Sequence, residues 1–485
     1  MSSQATLLSI KTTLGQLAQA LPQARVSGAP TLAISGICTD SRKVQPGDLF
    51  IALRGENFDA HDFLPQVASQ GAACVLAERV PEGWNLPTLQ VADSLQAMGQ
   101  LAAHWRQQFD LPLIAVTGSN GKTTVKEMIA TILTTVYGEK HSFATRGNFN
   151  NAIGVPLTLL RLNAQHQAGV VELGMNHPGE IACLASMARP TVALVNNAQR
   201  EHLEFMQSVA AVAQENGSVF ASLPENGVAV FPADDEFTPL WQQLARQAKA
   251  RVLTFGLSPA ADVACEYRVC EGGSDLRVTV KLGQSVRMVP LKLQVAGEHN
   301  VRNALAALAC GLAMGADLLA MVRALASFQP VGGRLQAKSA SNGAKLIDDT
   351  YNANPDSVRA AIMVLAQAPT PRILVLGDMG EVGDQGPQFH AEAGQLACQY
   401  GIETVLCLGQ ASRHTQQAYA ATANATSATG STMVAQHFEQ LPDLLAALER
   451  LILPHSTVLV KGSRFMRMER VIAHFVPATS HQEEH

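Results

Sequence analysis

One stretch constrains this chain more than any other. The apolar run Leu113-Ile-Ala-Val116 leads into Thr117-Gly-Ser-Asn-Gly-Lys-Thr-Thr124, followed by Val125-Lys126. A short, continuous apolar run reads as a strand covered on both faces. Gly118 and Gly121 permit a tight turn whose backbone N–H groups curl around an anion. The helix that follows adds partial positive charge at its N-terminus. In that frame Lys122 reaches the outer phosphates of a nucleotide, and the Thr123 hydroxyl is placed for its Mg²⁺. Val116 stands where the general G-x-x-x-x-G-K-[ST] pattern has its first glycine, so the loop is a tighter variant.

A chain of 485 residues is too long for one ordinary core, and three regions separate by texture. In the first, strand-like runs at 49–53, 73–76 and 88–91 alternate with turns. A helix expected over 94–109 leads to the second region. Buried-strand patterns at 113–116, 169–171, 191–195, 227–231 and 252–255 alternate there with helices, the signature of a parallel, doubly wound sheet. Residues 261–293 suggest an antiparallel excursion, and an Ala/Leu-rich helix is expected over 300–314. The third region repeats the α/β texture, with strands at 345–347, 372–376, 404–408 and 457–460 and a helix end and loop over 418–431. The expected units are 1–93, 94–326 and 327–485.

The formal net charge of -5 offers no basic field for nucleic acid. The three arginines of Arg464–Arg470 are mixed with methionines and a glutamate, as in an amphipathic segment. Eight cysteines form no CxxC pair and read as reduced, buried thiols. No secretory signal or membrane-length apolar run is evident, so a cytoplasmic protein without membrane insertion is expected.

Glu172 ends the run Gly169–Val171, at the strand edge where open α/β sheets bind ligands; it is placed to hold Mg²⁺. His202 lies in Gln199-Arg-Glu-His-Leu-Glu204, and a lone histidine is open to a structural or a ligating role. For Asn148-Phe-Asn-Asn151 and Glu298–Asn303, helix capping and ligand contact are both open. Three further polar stretches follow strands: Asp348–Pro355, Gly377–Gly383 and Lys461-Gly-Ser-Arg464. Three rims on one sheet edge point to an anionic or polar ligand for this region too.

These motifs together resemble the Mur ligase family. The loop Thr117–Thr124 looks like the family's, and Gly297-Glu-His-Asn-Val-Arg-Asn-Ala-Leu-Ala-Ala307 resembles its Gly-x-His-Asn-x-x-Asn-x-Leu-Ala-Ala pattern. The stretches Asp349–Pro355, Leu376–Gly383 and Val460–Arg464 are most similar to members that join D-alanyl-D-alanine to a UDP-N-acetylmuramoyl-tripeptide. Asp40–Phe50 resembles the UDP-sugar domain of such enzymes. The resemblance implies a small N-terminal α/β UDP-sugar domain, a central P-loop ATPase-like parallel-sheet domain and a C-terminal Rossmann-like domain, acting as a monomer.

It also implies roles for individual residues. The loop residues Thr117, Gly118, Ser119, Asn120, Gly121, Lys122, Thr123 and Thr124 would hold ATP. Thr123, Glu172 and His202 would hold Mg²⁺, and Lys122, Glu172 and His202 would serve catalysis. Asn151 and Asn303 would approach the adenine. Arg334 and Asp349 would reach the nucleotide from the third domain, and Ser41 and Arg42 would touch the UDP moiety. One departure stands out. Where the family usually has a carbamylated lysine as an anionic metal ligand, this chain has Asn216, with no lysine between Lys140 and Lys249. Either Glu215 supplies the missing carboxylate or the metal keeps more water. A sibling ligase adding a single amino acid and a regulatory nucleotide switch share the loop, but the third-domain stretches argue against both.

Overall fold

The computed structural model describes residues 8–55, 57–426 and 433–477. The start of the chain and residues 427–431, part of the expected helix end and loop, lie outside this range.

Three sheets organise the chain in order. The first has six strands in spatial order Leu8–Thr13, Ala33–Cys38, Asp48–Ile51, Cys74–Ala77, Thr88–Gln90 and Arg25–Ser27. Its four inner strands are parallel and both edges antiparallel. The second has nine, in the order Ser285–Leu293, Gly273–Leu282, Val263–Cys270, Arg251–Gly256, Val228–Pro232, Val192–Val195, Leu113–Thr117, Ala168–Glu172 and Ser142–Ala144. The third has six: Gln336–Ser339, Lys345–Asp349, Thr457–Lys461, Arg372–Gly377, Thr404–Leu408 and Val434–Phe438.

The strand Leu113–Thr117 is buried throughout and lies between 168–172 and 192–195. From it the chain winds to one side through 142–144 and 168–172, then to the other through 192–195, 228–232 and 251–256. Leu113–Thr117 therefore marks a topological switch point, with a crevice beyond its C-terminal end. The helix Lys122–Tyr137 follows at once and buries Val125, Met128, Ile129, Ile132 and Leu133, an i, i+3, i+4 stripe against the sheet. The helix Glu298–Ala313 covers the same face.

The excursion over 261–293 is antiparallel as its alternation predicts, and it makes the central sheet mixed at that end. The helix Ser94–Arg106 is shorter than expected. Strands at 8–13, 25–27, 33–38, 142–144, 336–339 and 434–438 escaped the sequence reading; most are short or lie at a sheet edge, where exposed and half-exposed residues give little periodicity.

A single apolar cluster runs from the first sheet through Ala97, Met98 and Leu101 into the central domain. Arg106 closes this junction. It is 5 % exposed and donates from Nε to Ala188 O (2.9 Å) and from its terminal nitrogens to Phe109 O (2.5 Å) and Leu111 O (3.0 Å). Burial pulls its pKa down, with Arg189 adding to the effect. Arg106→Met would leave these carbonyls without a donor, and we expect it to destabilise the protein by roughly 3 kcal/mol. A wild-type melting midpoint in calorimetry would contradict this role.

Candidate active site

A cavity of ≈ 670 Å³ opens beyond the switch point and is roofed by the third domain. Its floor is the loop after Leu113–Thr117. Gly118 (φ 127) and Gly121 (φ 82) occupy left-handed backbone that a side chain would strain. A Cβ on Gly118 would also press on the Asn196 side chain and the Asn197 backbone. Ser119, Asn120, Gly121, Lys122, Thr123 and Thr124 line the cavity, whereas Thr117 and Gly118 lie beneath it.

Side-chain amides brace the loop. Asn216 Oδ1 accepts from Gly118 N (2.9 Å) and Asn197 Oδ1 from Asn120 N (2.9 Å). Asn196 Nδ2 donates to Asn120 O (2.8 Å) and to Asn303 Oδ1 (3.0 Å). Asn303 is thus buried under the loop, with Nδ2 donating to Asn300 Oδ1 (3.1 Å). Asn151 lines the cavity, and its Oδ1 accepts from Ile153 N (3.2 Å) and Gly154 N (2.9 Å) just ahead of the helix Gly154–Leu159.

Lys122 donates to the loop carbonyls of Gly118 (2.5 Å) and Ser119 (3.0 Å) and pairs with Glu201 Oε1 at 3.0 Å. Sequence reasoning assigned nothing to Glu201, although it stands inside the stretch singled out around His202. Glu172 is 2 % exposed; its Oε1 accepts from Asn150 Nδ2 (2.7 Å), while Oε2 is buried with no donor. An unsatisfied carboxylate oxygen in the wall of a cavity suits a cation. His202 (φ 50) lines the same cavity, with Nε2 3.6 Å from Glu201 and Nδ1 2.7 Å from Glu381 of the third domain. The His202 contact holds the Glu381 carboxyl below its ordinary value despite partial burial. Among the described residues no three His, Cys, Asp or Glu side chains form a ready-made metal cluster.

The third domain arrives at the loop itself. Arg334 donates to Thr123 Oγ1 (2.9 Å), and its guanidinium lies 4.2 Å from the Tyr351 ring centroid. Asp349 lines the cavity, where Oδ2 pairs with buried Lys461 (2.7 Å) and Oδ1 accepts from Leu335 N (3.2 Å). Asn354 Nδ2 donates to Asn120 Oδ1 (2.9 Å), joining the tip of the loop to the cap of the helix Pro355–Ala366. Arg200 spans the same interface. It reaches Asp356 (2.9 Å) and Glu392 (2.8 Å) and lies over Phe389 (5.0 Å). Burial alone would lower its pKa, but the hydrogen bonds it donates to these two carboxylates raise it instead.

Two expectations fall outside this assembly. Ser41 and Arg42 do not line the cavity; Arg42 is exposed and forks onto Asp40 through two 2.8 Å bonds. Glu215 does not reach the cavity either. Its two oxygens accept from Gly179 N (2.9 Å) and Ile181 N (2.8 Å), holding the start of the helix Glu180–Ala188. A carboxylate satisfies helix N–H groups well, and that geometry overrides the sequence expectation that Glu215 replaces the missing metal ligand.

A phosphate loop at a switch point, met by strand-end residues of a second α/β domain, defines a phosphate-loop enzyme of the domain-closing kind. The sequence matches the Mur ligase middle domain over 116–311, the Mur ligase glutamate ligase domain over 333–464 and the Mur ligase family catalytic domain over 33–106. It is 40% identical over 465 residues to the UDP-N-acetylmuramoyl-tripeptide–D-alanyl-D-alanine ligase of Escherichia coli (strain K12), covering 96% of this chain and 98% of that one. A crystal structure of MurF from Acinetobacter baumannii superposes with TM-score 0.87 at 35% identity over 96% of this chain and 99% of that one. MurF from Thermotoga maritima, solved in complex with ADP, gives 0.77 at 26% identity, over 90% and 96% of the two chains. The chain belongs to the Mur ligase family.

Arg200→Ala removes the paired clamp between the central and third domains. We expect a larger radius of gyration by small-angle scattering and faster proteolysis between 326 and 336; an unchanged scattering profile would show that other contacts carry the docking.

Proposed function

We propose that this protein is the ATP-dependent ligase that adds D-alanyl-D-alanine to a UDP-N-acetylmuramoyl-tripeptide in cell-wall precursor synthesis. The observation that carries the reading is likeness to ligases of that name over nearly the whole length of both chains. In this reading 1–93 is the UDP-sugar unit, with Ser41 and Arg42 at the UDP, 94–326 is the ATP unit and 327–485 the closing unit, in a cytoplasmic monomer. No helix among the described residues is long and apolar enough to cross a membrane.

A carboxylate is a poor electrophile, so amide formation needs an activated acyl group. Transfer of the ATP γ-phosphoryl group to the tripeptide carboxylate gives an acyl phosphate. The dipeptide amine then attacks its carbonyl, and phosphate leaves. In this reading the loop N–H groups and Lys122 bind the phosphates and offset charge that grows during transfer. Arg334 brings a second cation to Thr123 only when the third domain is docked, which couples closure to chemistry. Docking also keeps water from the acyl phosphate. Thr123, Glu172 and His202 are the groups that would hold Mg²⁺, and the free Oε2 of Glu172 fits that use. When bound, the ion would neutralise phosphate charge and align the transferred group.

Lys122→Ala should fold yet lose turnover at least ~100-fold. Phosphate release measured with D-alanyl-D-alanine, single amino acids and glutamate tests the substrate. Release stimulated by a single amino acid in preference to the dipeptide would replace the proposed reaction with that of a sibling ligase.

A further inference from the structure

Glu201 has no role in the reading above, yet it is the carboxylate that touches Lys122. Its oxygens lie 3.0 and 3.3 Å from Lys122 Nζ, and Oε1 lies 3.6 Å from His202 Nε2. The side chain is 12% exposed, so water screens it poorly. This placement creates a conflict once a triphosphate binds. Lys122 must turn to the phosphates, and Glu201 is then left, largely buried, beside oxygens of the same sign. Such an arrangement is unfavourable unless a cation comes between them.

The neighbouring groups suit a cation. Glu172 lines the cavity and is 2 % exposed, and its buried Oε2 has no donor. The other candidates for an anionic ligand are already committed. Both oxygens of Glu215 hold helix N–H groups, and the neutral Asn216 spends its oxygen on Gly118.

We infer that Glu201 exchanges partners during the cycle: it neutralises Lys122 before nucleotide binds, and with His202 it takes a divalent cation when Lys122 moves to the phosphates. The inference rests on the ATP-dependent reading. Mg²⁺ is commonly held by one or two carboxylates, with phosphate oxygens and water completing its shell.

Mn²⁺ serves as the probe, titrated into the full-length protein with the non-hydrolysable β,γ-methylene analogue of ATP and followed by electron paramagnetic resonance. The wild type should bind Mn²⁺ in the presence of the analogue. In Glu201→Gln this binding should weaken roughly tenfold or more, as when a ligand set is disturbed. Glu201→Asp should keep it at intermediate affinity, and Glu215→Gln should match the wild type. With EDTA present, Glu201→Gln should bind the analogue several-fold tighter, because Lys122 has lost its internal competitor. Wild-type Mn²⁺ titration in Glu201→Gln, or unchanged analogue affinity in EDTA, overturns the exchange while leaving the ligase reading intact. A wild type that binds neither analogue nor Mn²⁺ overturns both.

Discussion

The structure depends on a brace of neutral amides beneath the phosphate loop. Asn216, Asn197 and Asn196 hold Gly118 and Asn120 from below, and Asn303 joins them from the helix Glu298–Ala313. Each amide accepts or donates without carrying charge. A carboxylate in the same place would oppose the phosphates, and a second ammonium would compete with Lys122. Glycine takes the left-handed backbone at 118 and 121 without strain, and close neighbours leave no room there for a side chain.

The same loop is where two domains meet. Asn120 faces Asn354, Thr123 faces Arg334, and Arg200 reaches two carboxylates of the third domain. Contacts that recognise a ligand and contacts that dock a domain therefore share residues. Any group that reshapes the loop changes the docking surface as well.

Much of this was legible in advance. Continuous apolar runs marked the buried parallel strands, because strands covered on both faces need no alternation. Of the three rims after strands in the third region, 348–355 and Lys461 reach the cavity wall, where ligands gather at strand ends, whereas 377–383 does not line it. Glu172, His202, Arg334 and Asp349 all reach that wall. Glu215 did not, because its helix turns it toward the N-terminus of a neighbour. Glu201 and Asn196 were passed over, since an acid and an amide in a loop carry no periodic signal. Asn151 lines the cavity and also bonds the backbone at a helix start, so both uses that its sequence position left open are compatible with its place.

The sequence by itself determined the phosphate loop, the three α/β regions and the family, because those depend on local order: strand, glycine turn, lysine, hydroxyl. Only the tertiary structure decided which side chains face one another. The pairing of Lys122 with Glu201, the free oxygen of Glu172 and the reach of Arg334 across 211 positions to Thr123 all arise from strand order and domain docking. Distance along the chain holds no record of such neighbours, since they are brought together by the burial of sheets and helices far from the site.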